Sequence, residues 1–213
     1  MNIGIIGSGN MGASMGKAWA DRGHKILFSF SRDPDKLHAL ASATGAIART
    51  GTPTEAVAFG EAVLLAVPWG AVSDALRAAG TLKDKVLLSC VNCLKPDLSG
   101  LAVGTTTSAA EEIAKVVLDA KIVEAIPPMA QILARDSHRL AGQQITTFYC
   151  GNDEAAKAIV ASLLRDLDLD PVDAGPLTSA RFIEPAGMLN VQLAYGMGLG
   201  TNIATKLLRD RSQ

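Results

Sequence analysis

The sequence predicts an α/β fold: a Rossmann-like, doubly wound, mostly parallel sheet with a small C-terminal helical region. Three observations predict it. Near the start, Ile3, Ile5 and Ile6 make an apolar, β-branched run of the kind that forms a strand buried on both faces. Gly7, Gly9 and Gly12 follow in G-x-G-x-x-G spacing, between that strand and a helix read over 13–21. Short apolar runs then alternate with helical patterns along the chain, the order that a parallel sheet with crossover helices requires.

Each glycine of the first turn has its own mechanical reason. Gly7 allows the tight turn, Gly9 lets the backbone approach a pyrophosphate, and Gly12 lets the helix pack close to the strand. With Ser8, Asn10 and Met11 they form the expected phosphate-binding turn, backed by the N–H groups and partial positive charge of the helix N-terminus. A second strand, 25–30, ends in Ser31-Arg32-Asp33-Pro34-Asp35-Lys36. NAD-binding units carry an Asp or Glu at the end of this strand, where it accepts from the ribose 2′-OH. No acid occurs over 25–31. Arg32 instead offers a planar fork for a 2′-phosphate, Ser31 a hydroxyl and Lys36 a cation one helical turn on. The expected cofactor is therefore NADP. The alternative is that Ser31 only caps the next helix, with Arg32 and Lys36 solvated.

A second helix is read over 36–42 and a third strand over 46–49, and Thr52-Pro53-Thr54-Glu55 opens a helix with Pro in its first turn. The apolar run 62–67 is a buried parallel strand, ending in Pro68-Trp69-Gly70 before a helix over 71–79. Ligands of doubly wound sheets lie beyond the carboxyl ends of the strands, which places Ala66, Val67, Pro68 and Trp69 beside the cofactor. Trp69 reads equally as a packing residue under the loop. The fifth strand, 85–91, carries Asn92 at its end, suited to the nicotinamide carboxamide or, without a ligand, to a turn. Residues 95–107 form a loop of a length that often serves as a lid.

Ser108-Ala109-Ala110-Glu111 is a capping box opening a helix to 118, and a sixth strand, 121–126, ends in Pro127-Pro128-Met129-Ala130. Met129 and Ala130 complete the expected cofactor-binding set. Residues 133–144 read as an irregular excursion, 145–150 as a seventh strand, 153–167 as an amphipathic helix and 170–174 as an edge strand. From 177 to 209 the chain reads as helix interrupted around Pro185. Gly196, Gly198 and Gly200 alternate within it, although glycine is unfavourable in a helix interior. They point to a close approach by a partner helix or a flat ligand ring, or to a helix break. The domains expected are 1–176, binding NADP, and 177–213, helices forming an acceptor pocket and a dimer contact.

With 48% hydrophobic and 19% charged residues, the 213-residue chain has ample material for one large core. Twenty basic against 21 acidic residues give no electrostatic case for nucleic acid or an anionic membrane as main partner. The longest apolar stretch, 62–72, contains Pro68 and Gly70 and is too short to span a bilayer. The first strand begins at Met1-Asn2 without a charged leader, so a soluble, cytoplasmic protein is expected. Three cysteines make no disulfide framework. Cys90-Val91-Asn92-Cys93 is nominally C-x-x-C, but a loop follows it, and strand-end packing is expected in place of redox chemistry. His24, His38 and His138 lack metal-ligand spacing, and no metal site is expected.

These residues resemble the coenzyme F-420-dependent NADP oxidoreductase family over nearly the whole chain. The marks are Gly7-Ser8-Gly9-Asn10-Met11-Gly12, Ser31-Arg32 with Lys36, and Val67-Pro68-Trp69. Later come Ser108-Ala109-Ala110-Glu111, Asp173-Ala174-Gly175-Pro176-Leu177, and Ser179-Ala180-Arg181 followed by Glu184. The resemblance implies a Rossmann domain, a small C-terminal helical part, a homodimer, and hydride transfer between NADPH and a deazaflavin. The chain also looks like the cytosolic domain of membrane ferric reductases that pass electrons from NADPH to flavin. It departs from the deazaflavin enzymes after the sixth strand, where Pro127-Pro128 stands in place of an expected polar His-Thr pair. A flavin or another planar acceptor thereby competes with the deazaflavin. Hydride transfer between two rings asks for stacking and exclusion of water more than for acid–base groups, so no catalytic residue is assigned. The competing readings are a non-catalytic NADPH sensor and an NADP-dependent dehydrogenase or imine reductase of a small substrate.

Overall fold

The structure, a computed structural model, describes residues 1–210. The apolar runs become strands β1 (Asn2–Ile6), β2 (Lys25–Ser29), β3 (Ala48–Thr50), β4 (Ala62–Leu65), β5 (Val86–Ser89), β6 (Lys121–Ala125), β7 (Thr146–Gly151) and β8 (Asp170–Asp173). They form one sheet in the order β3-β2-β1-β4-β5-β6-β7-β8. Every neighbouring pair is parallel except β6 with β7. The central strands are buried along their length because helices cover both faces, which explains their unbroken apolar sequence.

The helices are α1 (Asn10–Ala20), α2 (Pro34–Thr44), α3 (Pro53–Phe59), α4 (Val72–Ala79), α5 (Ala109–Val116), α6 (Ala130–Leu133), α7 (Glu154–Asp166) and α8 (Ala180–Val191). Met15 and Trp19 of α1 share one core with Val160 and Leu164 of α7. The indole N–H of Trp19 donates to the Leu163 carbonyl at 2.9 Å and ties the two helices together. The other core holds Val57, Leu76, Ile113 and Ile183, from α3, α4, α5 and α8. β8 lies at the sheet edge, where the missing N–H of Pro171 is tolerated.

Three expectations need correction. The cap of α2 is Asp33, whose carboxylate accepts from the Lys36 N–H at 3.1 Å; Ser31 instead folds onto Asp33. Ser108 caps α5, but the Glu111 carboxylate turns to the Ser108 hydroxyl and to Arg181, so the reciprocal half of the capping box is not made. Thr52 and Glu55 make a full capping box at α3.

The largest correction is at the C-terminus. Helix α8 runs through Pro185, passes into a π-turn at Gln192–Gly196 and stops. Gly198 and Gly200 adopt φ of +72° and +76°, a backbone that glycine accepts without strain, and a side chain at either would meet nothing within 4 Å. These glycines end the helix, and no close approach among the described residues explains them. The segment beyond them returns without helix to the start of β7, where the Thr146 N–H donates to the Thr205 carbonyl at 3.1 Å. The last expected C-terminal residues, 211–213, lie outside the described residues.

Candidate active site

The strand order reverses between β1 and β4, and the loops after these strands diverge there to opposite faces of the sheet. A cleft of about 560 Å³ opens at this point, beyond the carboxyl ends of β1, β4, β5 and β6. Gly9, Asn10 and Met11 line one end.

The three glycines of the first turn separate cleanly. Gly7 has φ +109°, and a Cβ on it would sit 2.3 Å from the Ala66 carbonyl oxygen. A Cβ on Gly12 would sit 1.9 Å from the Gly7 carbonyl oxygen. Both are fixed by packing. Gly9 has extended backbone, φ −70° and ψ −173°, and a Cβ there would meet nothing within 4 Å. No contact among the described residues demands glycine at 9, and the open space faces the cleft. Helix α1 has no side-chain cap and no acid in its first turn, so its leading N–H groups suit an anionic ligand.

At the end of β2, the Ser29 hydroxyl is buried and donates to the Ile5 carbonyl at 2.7 Å. Phe30 takes φ +57°, a sparsely populated conformation for a bulky residue, and turns the chain outward. Ser31, Arg32 and Lys36 follow, exposed. Arg32 makes no hydrogen bond or ion pair among the described residues, whereas the Lys36 ammonium lies 3.7 Å from the Asp33 carboxylate. Asp33 is the nearest acid and is committed to capping α2, so no carboxylate here stands ready for a ribose hydroxyl. These three residues lie outside the cleft lining.

At the other end, Asn92 donates through Nδ2 to the Glu184 carbonyl of α8 at 3.2 Å, which fixes which way the amide points. Its Oδ1 is buried and without a partner among the described residues. A buried acceptor left unpaired is costly, and at a residue that lines the cleft the N–H₂ of a carboxamide reaching it would satisfy it. Ala66, Val67, Pro68 and Trp69 line the cleft after β4, and Met129 and Ala130 line it after β6 beside Pro127 and Pro128. Ser8 and Gly12 sit in the turn without lining it.

Sequence reasoning expected the C-terminal helices at an acceptor pocket but named no α8 residue that lines it. Gly187, Asn190 and Val191 form a wall, and Tyr195 and Ile203 continue it. A Cβ on Gly187 would fall 2.8 Å from Asn92 Nδ2 and 2.8 Å from Ile126 Cγ2, so glycine is what lets α8 seat against the strand ends. A glycine inside an otherwise apolar helix was the available signal. Lys95, Pro96 and Leu98 of the loop after β5 were also missed as lining.

Behind the cleft, the buried Glu184 carboxylate accepts from the backbone N–H groups of Ala109 at 2.9 Å and Ala110 at 3.1 Å, capping α5 from another helix. The Cys93 thiol lies 3.2 Å from the same group. Burial, opposed by these bonds, leaves the Glu184 carboxyl above its ordinary range. Burial and then the Glu184 carboxylate push the Cys93 thiol up to about 12, and burial raises Cys90 well above its usual value. Thiols held protonated are poor nucleophiles, so the C-x-x-C spacing serves packing. Among the described residues no group of three His, Cys, Asp or Glu could hold a metal ion. Among them also, no helix is long and apolar enough to cross a membrane.

Fold and site together define a dinucleotide-binding oxidoreductase of the Rossmann class. Comparisons with known proteins narrow this. The family model "NADP oxidoreductase coenzyme F420-dependent" matches residues 2–93. A crystal structure of a candidate F420-dependent NADP-reductase from Arthrobacter sp. FB24 is 30% identical, with a TM-score of 0.86, and the match covers 97% of this chain and 99% of that one. The chain belongs to the family of coenzyme F420-dependent NADP oxidoreductases. Metalloreductase STEAP3 of Rattus norvegicus is 25% identical over 182 residues, which are 85% of this chain and 35% of that protein. The chain thus spans about a third of the length of that curated relative. A reductive aminase from Aspergillus terreus, solved with NADPH and ethyl levulinate, shares the fold at 20% identity and a TM-score of 0.68, over 92% of this chain and 62% of that one.

Proposed function

We propose that the protein transfers hydride between NADP(H) and a planar acceptor, a deazaflavin of the coenzyme F-420 type or a flavin. The observation that carries this is the continuity of the cleft. It begins at the phosphate-binding turn, passes the orphaned Asn92 amide and goes on to Pro127, Pro128 and Tyr195. About 560 Å³ accommodates the nicotinamide end of a dinucleotide with a second ring pressed against it. The walls are mostly apolar and, among the described residues, carry no paired acid and base, which suits a reaction in which the cofactor supplies the reactive hydride and the protein supplies stacking and dryness. Gly7 to Gly12 hold the pyrophosphate, Ser31, Arg32 and Lys36 the 2′-phosphate, and Asn92 the carboxamide.

The experiment is to follow the nicotinamide absorbance band with NADPH and one candidate acceptor at a time. Turnover with deazaflavin or FMN supports the proposal. Turnover only with a small carbonyl or imine assigns the cleft to a small substrate, and tight NADPH binding without turnover assigns the protein to NADPH sensing.

A homodimer completes the reading. Phe182, Ala186 and Leu189 are exposed at helical spacing along the outer side of α8, followed by exposed Tyr195, Met197 and Leu199. A self-complementary two-fold contact covers such a stripe on both subunits at once. The three cysteines are all unpaired, which suits the reducing cytoplasm.

A further inference from the structure

We infer that Lys95 is a specificity-determining residue that selects acceptors bearing an anionic side chain. The inference rests on the acceptor reading above and adds what the acceptor must carry. Among the described residues, Lys95 is the one residue with a formal charge at neutral pH in the cleft lining. Everything else there is apolar or neutral, so a charge on the ligand finds a single partner within the lining.

The position of Lys95 assigns it to the acceptor end. Its loop leaves β5, which lies two strands from β1 in the sheet. At about 4.8 Å per strand, this loop enters the cleft about 10 Å from the turn that holds the pyrophosphate. The dinucleotide already has the α1 N-terminus for its pyrophosphate and Arg32 for its 2′-phosphate. Lys95 stands three residues past Asn92 in the same β5 loop, and with those anions provided for it is left over for the second molecule.

The loop also presents Lys95 from a fixed base. The Lys95 N–H donates to the Gly100 carbonyl at 2.8 Å, and the Leu98 N–H donates back to the Lys95 carbonyl at 2.9 Å. Leu94 pairs with Leu101 in an isolated bridge, and the Cys93 thiol lies 2.8 Å from the Val103 carbonyl oxygen. The ammonium makes no hydrogen bond or ion pair among the described residues. Asp97, the nearby acid, accepts from the Ser99 N–H at 3.0 Å and feels the Lys95 charge only at longer range. An exposed ammonium without a hydrogen bond or close ion pair among the described residues, on an anchored turn beside a cleft with no other formal charge among those residues, suits a phosphate or carboxylate tail on a ring buried inside. Free FMN and a deazaflavin with an acidic tail share this chemistry.

Riboflavin and FMN separate the contributions, since they share a ring system and differ by one phosphate. At low ionic strength the wild-type protein should show kcat/KM about tenfold higher for FMN, the size of one charge-assisted contact. That preference should shrink as salt screens it. Lys95→Gln should bring FMN down to the riboflavin value, leave riboflavin and the NADPH Kd unchanged, and Lys95→Arg should restore the preference. Quenching of flavin fluorescence in the presence of NADP reads the same preference without turnover. Equal use and equal binding of the two flavins, absence of binding by both, or a preference that survives in Lys95→Gln would overturn the assignment. So would a loss of NADPH affinity in that variant, which would give Lys95 to the cofactor. Preferential FMN binding without reduction, abolished by Lys95→Gln, would sink the hydride-transfer reading while leaving the role of Lys95 intact.

Discussion

Replacing Gly9 by valine should abolish cofactor binding in a protein that folds as well as the parent. The two halves of this outcome come from different atoms. The backbone at Gly9, φ −70° and ψ −173°, is open to any residue, and a Cβ there meets nothing within 4 Å. The stability change should therefore stay within about 0.5 kcal/mol. The branched side chain instead occupies the space in front of the α1 N-terminus. A pyrophosphate held off by one methyl layer loses charge-assisted bonds worth about 1.5–3 kcal/mol each. Losing two of them weakens NADPH by roughly a hundred- to ten-thousandfold. Gly12→Ala is the control, because its Cβ meets the Gly7 carbonyl oxygen at 1.9 Å. That variant should lose about 1–3 kcal/mol of stability as well as binding. Thermal unfolding and NADPH fluorescence titration on both variants give the comparison. A folded Gly9→Val protein with parental NADPH affinity would refute the reasoning, since the open space would then hold no dinucleotide.

Other perturbations reach other parts of the account. Both oxygens of the Glu124 carboxyl are buried, with no hydrogen bond of good geometry among the described residues and only the Ser89 hydroxyl near enough to favour the charged form; burial holds the carboxyl well above the ordinary carboxylate range, and the Glu184 charge adds to the rise. A raised carboxyl pKa contributes stability below the unfolded value that is lost as pH rises through the folded one. Glu124→Met should stabilise the protein by about 1–3 kcal/mol at pH 8 and flatten that decline, which denaturant unfolding across pH will show or contradict. Gly187→Leu should push α8 away from Asn92 and Ile126, costing about 1–3 kcal/mol and lowering kcat, measured by unfolding and steady-state kinetics. Phe182 is 77% exposed on α8. Phe182→Asp should give a folded monomer by sedimentation velocity, and an unchanged dimer would place the interface elsewhere.

Local features were legible in the sequence, and long-range contacts were not. The strand–glycine turn–helix unit at 1–20 depends on neighbours a few residues apart, so spacing alone specified it. Pro185 was read as a break, yet it lies in the second turn of α8, where it forfeits the one bond to the Arg181 carbonyl. Buried Ala180, Ile183, Glu184 and Gly187 hold the helix against that loss. Beyond Gly196 the apolar periodicity suggested more helix, but left-handed glycines and pairing with Thr146 compete successfully for the backbone. The wall that α8 gives the cleft depends on residue 187 meeting residues 92 and 126, a proximity that local periodicity does not encode. Glu124 sits in a strand pattern as an exposed residue would, and only its place inside the sheet beside Cys150 of β7, near Glu184 of α8, shows that it is buried.

The central claim, that this cleft is built for NADP(H), is tested most directly by titrating NADPH and NADH into the parent and Arg32→Ala proteins by calorimetry. The parent should bind NADPH about ten- to a hundredfold tighter than NADH, the value of a bidentate guanidinium–phosphate contact of about 1.5–3 kcal/mol. Arg32→Ala should erase that difference by weakening NADPH alone. Equal affinities in the parent, or an equal loss for both cofactors in the variant, would contradict the claim.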